Sequence, residues 1–170
     1  MMGLVNALPP LPDTIVADFN RIRAGFAETV GLRFVAIDYE QIVAEVEVGP
    51  HLLQPYGLVH GGVYSMIVET LSSVGAALNL AAFGRHALGL ENSTSFLRAV
   101  RTGTLVGRAT PLSRKKRSQV WEAEVRCEGQ LVASGRVRCL GLEGEAAIAG
   151  EVVAFPWRAE SGGNVADEPA

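Results

Sequence analysis

One short run of this sequence carries residue types arranged for chemistry. Gly57-Leu-Val-His60-Gly61-Gly62 leads into an apolar stretch in which Glu69 is the only charged residue between His60 and Arg85. An ionised carboxylate among Ile67, Val68, Leu71 and Val74 costs several kcal/mol unless it is paired or hydrogen-bonded. Tyr64, Ser65 and Ser73 lay a narrow polar seam beside it on an otherwise apolar helical surface. A glutamate on a solvated helical stripe is the plain alternative, but the seam favours a general base or a carboxylate nucleophile.

His60-Gly61-Gly62 falls where a turn meets the start of that helix. The first N–H groups of a helix lack intrahelical partners, and the helix dipole favours negative charge there, so Gly61 and Gly62 can form an oxyanion-type site that a substrate approaches closely. His60 is better suited to orienting the loop through backbone hydrogen bonds than to acid-base work. Gly61 and Glu69 are separated by about 12 Å along a helix, too far for both to touch one carbonyl carbon. Two chains are therefore expected, with antiparallel helices facing the amide end of one to the acid of the other in a symmetric homodimer with two equal sites.

Other elements must hold this helix. Asp13 is placed to cap a first helix in which Ile15, Phe19, Ile22 and Phe26 recur until Gly31. Residues 32–39 and 41–48 read as a strand hairpin, and Gly49-Pro50 and Gln54-Pro-Tyr-Gly57 punctuate the chain before the apolar helix, expected from near Gly61 to near Gly84. Residues 86–100, 105–111, 120–127 and 130–142 read as strands, the last two joined by a tight turn at Glu128-Gly129. A helix apolar nearly all round must be enclosed. The outline is α+β, one long central helix wrapped by a mostly antiparallel sheet. Residues 1–31 are expected as an N-terminal extension with one helix, 32–142 as the main domain, and 143–170 as a loosely ordered tail in which Phe155-Pro-Trp157 could dock locally.

The 170 residues fit one domain, and a net charge of -3 with no charge-segregated half gives nucleic-acid or membrane-surface binding no compositional support. Val63 to Phe83, the longest apolar segment, contains Glu69, Ser72, Ser73 and Asn79, so no membrane span is expected, and Met1 to Pro12 lacks the form of an export signal. Cys127 and Cys139 show no metal-type spacing and lie on neighbouring strands where the turn does not set them opposite each other. A reducing cytoplasm is the simpler setting.

The motif Gly57-Leu-Val-His60-Gly61-Gly62 followed by Glu69, with Ser95-Phe96-Leu97-Arg98 further on, resembles the hotdog-fold acyl-CoA thioesterases over roughly residues 30–142. The branch is that of the phenylacetate-pathway thioesterases and the Arthrobacter-type 4-hydroxybenzoyl-CoA thioesterase. Gln54 with Glu69 is similar to the Arthrobacter type, where many relatives have Asn and Asp, and this points towards an aromatic acyl group; Ser73 stands where that enzyme has Thr. The resemblance implies that Gly61 supplies an amide to the thioester oxygen, that Glu69 attacks or activates water, and that Gln54 and Ser73 help position substrate or water. Oligomers of this kind are expected as homodimers or dimers of dimers. No metal or cofactor is implied, since coenzyme A is part of the substrate.

Arg114-Lys115-Lys116-Arg117 is the densest basic run and, with Arg98 and Ser118, a candidate for the phosphates of CoA, although a solvated hairpin tip would look the same. Tyr56, Tyr64 and Met66 could flank an aryl ring, or simply pack. Two other readings stay open: hydration or dehydration of acyl thioesters, which His51-Leu-Leu-Gln-Pro-Tyr-Gly57 does not support, and a non-catalytic acyl-CoA-binding protein, for which residues 1–31, with only Arg21 and Arg23 basic, hold too little for a DNA-binding segment.

Overall fold

The computed structural model describes residues 8–152. Its centre is α3 (Gly61–Ala81), in which Val63, Ile67, Val68, Leu71, Leu78 and Leu80 are buried on several sides. Length and composition alone would let α3 cross a bilayer, but 72% of its most apolar window is buried inside the protein, so it is the core helix. Around it curls one six-stranded sheet: β1 (Arg33–Ile37), β2 (Ile42–Glu47), β3 (Arg85–Phe96), β4 (Thr104–Arg114), β5 (Ser118–Cys127) and β6 (Gln130–Glu143). The spatial order is β1-β2-β4-β5-β6-β3, and every neighbouring pair is antiparallel.

The expected α+β hotdog architecture is present. Alternation in β2, β4, β5 and β6 sends Ala44, Leu105, Trp121, Val125 and Val137 inward onto the helix, while Glu45, Arg108, Glu124 and Arg136 face out. Helix and sheet approach closely where Gly75 lies against Trp121: a Cβ at Gly75 would stand 2.5 Å from the indole ring. Glu128 (φ 50°) and Gly129 (φ 75°) form the tight β5–β6 turn with the left-handed geometry such hairpins require.

Several boundaries differ from the sequence reading, four of them for reasons visible in the structure. The first helix is capped by position Thr14 rather than Asp13 and is broken into α1 (Ile15–Ile22) and α2 (Gly25–Val30), because Arg23 is extended and Gly25 takes φ 61°. The break turns Phe26 outward, 62% exposed, instead of continuing the Ile15 and Phe19 face. β4 runs past Pro111 to Arg114 through a bulge between Pro111 and Ser113 that accommodates a residue without an N–H. β3 stops at Phe96 rather than near Val100, since the chain peels away and Val100 tucks into the core to accept a hydrogen bond from Val59 N. A small hairpin of β7 (Ala147–Ile148) and β8 (Glu151–Val152) orders the start of the segment expected as a loose tail. Phe155 and Trp157 lie outside the described residues.

The two ends of the sheet are treated differently. At the β1 edge the side-chain amide of Asn20 on α1 donates to Phe34 O at 3.0 Å and accepts from Phe34 N at 2.9 Å, standing in for a neighbouring strand. The outer side of β3 has no neighbouring strand among the described residues, and Leu90 and Phe96 on it are 51% and 56% exposed.

Both cysteines are buried and free. Burial pushes the Cys139 thiol up to about 11, against a hydrogen bond from the Ser73 side that works in the other direction, and the nearby Glu69 charge adds to the rise. Burial also raises Cys127, Tyr64 and Tyr39.

Two outcomes follow from this packing. Gly75→Ala forces a methyl against Trp121 and is expected to destabilise by about 1–3 kcal/mol, read as a lower midpoint in thermal or urea unfolding; an unchanged midpoint would show that the ring yields freely. A thiol whose folded pKa is raised keeps its full contribution to stability below the unfolded value and loses it as pH rises. Stability is therefore expected to fall between pH 9 and about 11, and Cys139 to resist iodoacetamide at pH 8 until the protein is unfolded.

Candidate functional site

The loop before α3 is tied down along its whole length. Gln54 N donates to Leu58 O and Gly57 N to Gln54 O, both at 2.8 Å, and the Arg101 guanidinium donates to Tyr56 O at 3.0 Å and Gly57 O at 3.1 Å. The Gln54 side-chain oxygen accepts from Tyr56 N at 3.2 Å, which leaves its NH₂ end free to face outward. His60 caps the helix: its Nδ1 accepts from Gly62 N at 2.9 Å. The N–H of Gly62, expected to contact substrate, is thus taken up within the protein, whereas the N–H of Gly61 has no partner among the described residues. His60 decides which of the two glycine amides is available.

Gly61 opens onto a cavity of ≈ 300 Å³ lined by Gln54, Leu58, Tyr64, Phe96, Leu97 and Arg98, among others. The Tyr64 and Phe96 rings stand 5.9 Å apart at a 37° tilt and give it an aromatic wall. Of the aryl-flanking candidates only Tyr64 is in this wall. Tyr56 is 81% exposed, and Met66 is buried, its sulfur accepting from Thr70 Oγ1 at 3.3 Å.

Glu69 lies outside this cavity, farther along α3 and facing β3. It is half-buried, and both carboxylate oxygens are held. Ser73 Oγ donates to Oε1 at 3.0 Å, as its position one helical turn on suggests, and Asn92 Nδ2 donates to Oε2 at 3.0 Å and also to Ser65 O at 3.0 Å. Gly89 gives the carboxylate room: a Cβ there would come within 2.5 Å of Glu69 Oε1. Asn92 and Gly89 are absent from the sequence-derived site.

The reason is a bulge. Gly89 pairs with Cys139 and Glu91 with Arg138, so Leu90 is an extra residue in β3, and the inward positions shift from odd to even numbers. Strict alternation would turn Glu91 onto the helix; instead it pairs outside with Arg138 at 3.3 Å, and Asn92 faces Glu69.

Within one chain the candidate residues therefore fall into two groups. Gln54, His60, Gly61 and Arg98 gather at the start of α3, and Glu69 and Ser73 gather about 12 Å along it. The basic run lies at the other end of the helix. Lys116 Nζ sits 4.5 Å over the Phe83 ring, and Arg114 is committed to the fold by an ion pair with Glu40 at 2.7 Å and a hydrogen bond to Tyr39 O at 3.2 Å. Lys115 and Arg117 are exposed, and Ser118 begins β5 with its carbonyl accepting from Lys115 N at 3.2 Å. Among the described residues no group of three or more His, Cys, Asp or Glu side chains is placed to hold a metal ion.

Comparison with known proteins identifies the family. The thioesterase superfamily profile matches residues 56–134, which include the His60-Gly61-Gly62 turn, Glu69 and Asn92. A protein of Mycobacterium tuberculosis strain H37Rv that carries a provisional esterase name is 35% identical over 139 residues, spanning 80% of this chain and 98% of the relative. The 1,4-dihydroxy-2-naphthoyl-CoA hydrolase of Escherichia coli K12 is 33% identical over 107 residues, 62% of this chain and 78% of that enzyme. The crystal structure of a thioesterase from Haemophilus influenzae superposes with a TM-score of 0.71 at 28% identity, covering 75% of this chain and 90% of that one. With the fold and the relatives in agreement, the chain belongs to the thioesterase superfamily and is a thioester hydrolase of the hotdog fold.

Proposed function

We propose that the protein hydrolyses a small aromatic acyl-CoA thioester to the free acid and CoA, in sites shared between two copies of the chain. The observation that carries this reading is the separation of the two groups of candidate residues on a rigid helix, next to a sheet edge that has no neighbouring strand among the described residues. An antiparallel ladder of β3 on a second copy, about a two-fold near Asn92 and Ser93, sets Phe96 and the Gly61 cavity of one chain beside Gly89 and Glu69 of the other. Blocking of the β1 edge by Asn20 supports β3 as the edge that pairs. Dimers of dimers would then meet through the outer sheet face, where ion pairs such as Arg136 with Glu122 and Arg138 with Glu91 alternate.

In such a site the Gly61 N–H, at the positive end of α3, and the Gln54 NH₂ polarise the thioester carbonyl. Glu69 of the second copy either takes a proton from water, whose oxygen adds to the carbonyl carbon, or adds itself to give an anhydride that water then cleaves. In both routes the C–S bond breaks and the thiolate of CoA leaves, later taking up a proton. The Tyr64 and Phe96 wall and the cavity of ≈ 300 Å³ suit a flat acyl group, and two relatives bear the name 1,4-dihydroxy-2-naphthoyl-CoA hydrolase. Arg98 of one copy and Arg117 of the other contact the CoA phosphates, and Arg114 holds the loop that presents Arg117. Two free buried thiols accord with a reducing, cytoplasmic setting.

The test assays benzoyl-CoA, 1,4-dihydroxy-2-naphthoyl-CoA and hexanoyl-CoA side by side. The aryl esters should give the higher kcat/KM, and Glu69→Gln should lower kcat at least about 100-fold. Mixing Glu69→Gln with Gly61→Val subunits should restore about a quarter of wild-type activity, because half of the random dimers carry one intact shared site; no recovery would sink the shared site. Oxygen-18 from solvent appearing in Glu69 after a single turnover would select the anhydride route. Arg117→Ala should raise KM more than it lowers kcat, and an unchanged KM would remove that phosphate contact.

A further inference from the structure

We infer that Asn92 is a positioning residue for the reaction, an amide clamp that fixes the Glu69 carboxylate, delivered to that place by the one-residue bulge at Leu90. This inference rests on Glu69 being the reacting carboxylate, as proposed above.

The geometry is specific. The two N–H bonds of one amide group reach two acceptors, Glu69 Oε2 and the helix carbonyl Ser65 O, each at 3.0 Å. The carbonyl end of the same amide accepts from Thr94 Oγ1 at 2.6 Å, which sets which end of Asn92 faces the acid. Room for Thr94 comes from Gly135 on β6, where a Cβ would stand 2.6 Å from Thr94 Oγ1. With Ser73 on Oε1, the carboxylate has one donor on each oxygen and a fixed plane, and each oxygen keeps a further lone-pair direction for water or a carbonyl carbon. A free glutamate side chain on a helix samples several rotamers, and a misplacement of about 1 Å costs roughly 100-fold in rate. Asn92 makes no contact with the Gly61 cavity, so its influence on the substrate passes through Glu69.

The test measures kcat and KM on benzoyl-CoA and 1,4-dihydroxy-2-naphthoyl-CoA for wild type, Asn92→Ala, Asn92→Asp and Thr94→Val, each also in the Glu69→Gln background. A positioning role predicts that Asn92→Ala lowers kcat about 10- to 100-fold with KM changed less than about twofold, and that Asn92→Asp, which keeps the volume but turns a like charge on Glu69, is worse than Ala. Thr94→Val, which leaves Asn92 in place but frees its amide to rotate, should give a smaller loss, and it carries the test if the Asn92 variants fail to fold. In the Glu69→Gln background the additional losses should vanish, because no carboxylate remains to be aimed. Unchanged kcat in Asn92→Ala, or in Thr94→Val where that variant alone folds, overturns the inference. So does a loss that persists undiminished in the Glu69→Gln background, since that is the mark of a purely structural link between α3 and β3. Glu69→Gln retaining the wild-type rate would be a different result, one that removes the catalytic reading of Glu69 itself.

Discussion

A carboxylate on an apolar helix, held by one donor on each oxygen, is the interaction on which the rest of this structure depends. The cost of half-burying Glu69 on this apolar helix is offset by Ser73 from its own helix and by Asn92 from the neighbouring strand. Because α3 is rigid, fixing Glu69 also fixes its separation from the Gly61 amide, which has no partner among the described residues. That separation, about 12 Å along the helix, is what the proposal of a site shared between two copies rests on. The sheet wraps the remaining faces of α3 and leaves its polar seam at the edge where Glu69 can be reached.

The immediate surroundings of Glu69 are built from absences as much as from contacts. Gly89 and Gly135 remove side chains that would strike the carboxylate and Thr94, and the extra residue Leu90 shifts the strand's phase so that an amide, not the carboxylate of Glu91, turns inward. Two acids facing each other at this edge would repel in a partly dehydrated place. The bulge sends Glu91 outward, where Arg138 answers its charge. On the far side of Ser73, Cys139 stays a neutral thiol, so Glu69 meets only uncharged donors on the sheet side.

Sheet edges carry a second design choice. An edge strand is open to any extended chain, and this protein closes one edge with a side chain that mimics a backbone amide, Asn20 on Phe34, while the β3 edge, with Leu90 and Phe96 exposed, has no neighbouring strand among the described residues. The loop before α3 is equally constrained, through Arg101 and through His60, which spends the second glycine amide on its own cap. Rigid presentation of one amide and one acid is the form of preorganisation that acyl transfer exploits.

Much of this was legible from residue order alone. The length of α3 follows from an apolar run too long for a strand, the β2, β4, β5 and β6 faces follow from alternation, Glu69 and Ser73 stand out as a lone charge and a hydroxyl one helical turn apart, and Gly61 stands out at the helix start, whereas Gln54 is marked only by the family resemblance. These are local properties, set by periods of 3.6 and 2 along the chain. What tertiary structure alone decided is which groups from distant segments meet. Asn92 lies on β3, and its inward direction depends on a bulge that no local period announces; Arg114, conspicuous as part of a basic run, is drawn by the fold to Glu40 and Tyr39; Phe96 becomes a cavity wall because the chain leaves the sheet just after it. Sequence spacing specifies which face of its own element a residue occupies, but contacts between elements depend on register, bulges and edge pairing, which arise only when the whole sheet closes around the helix.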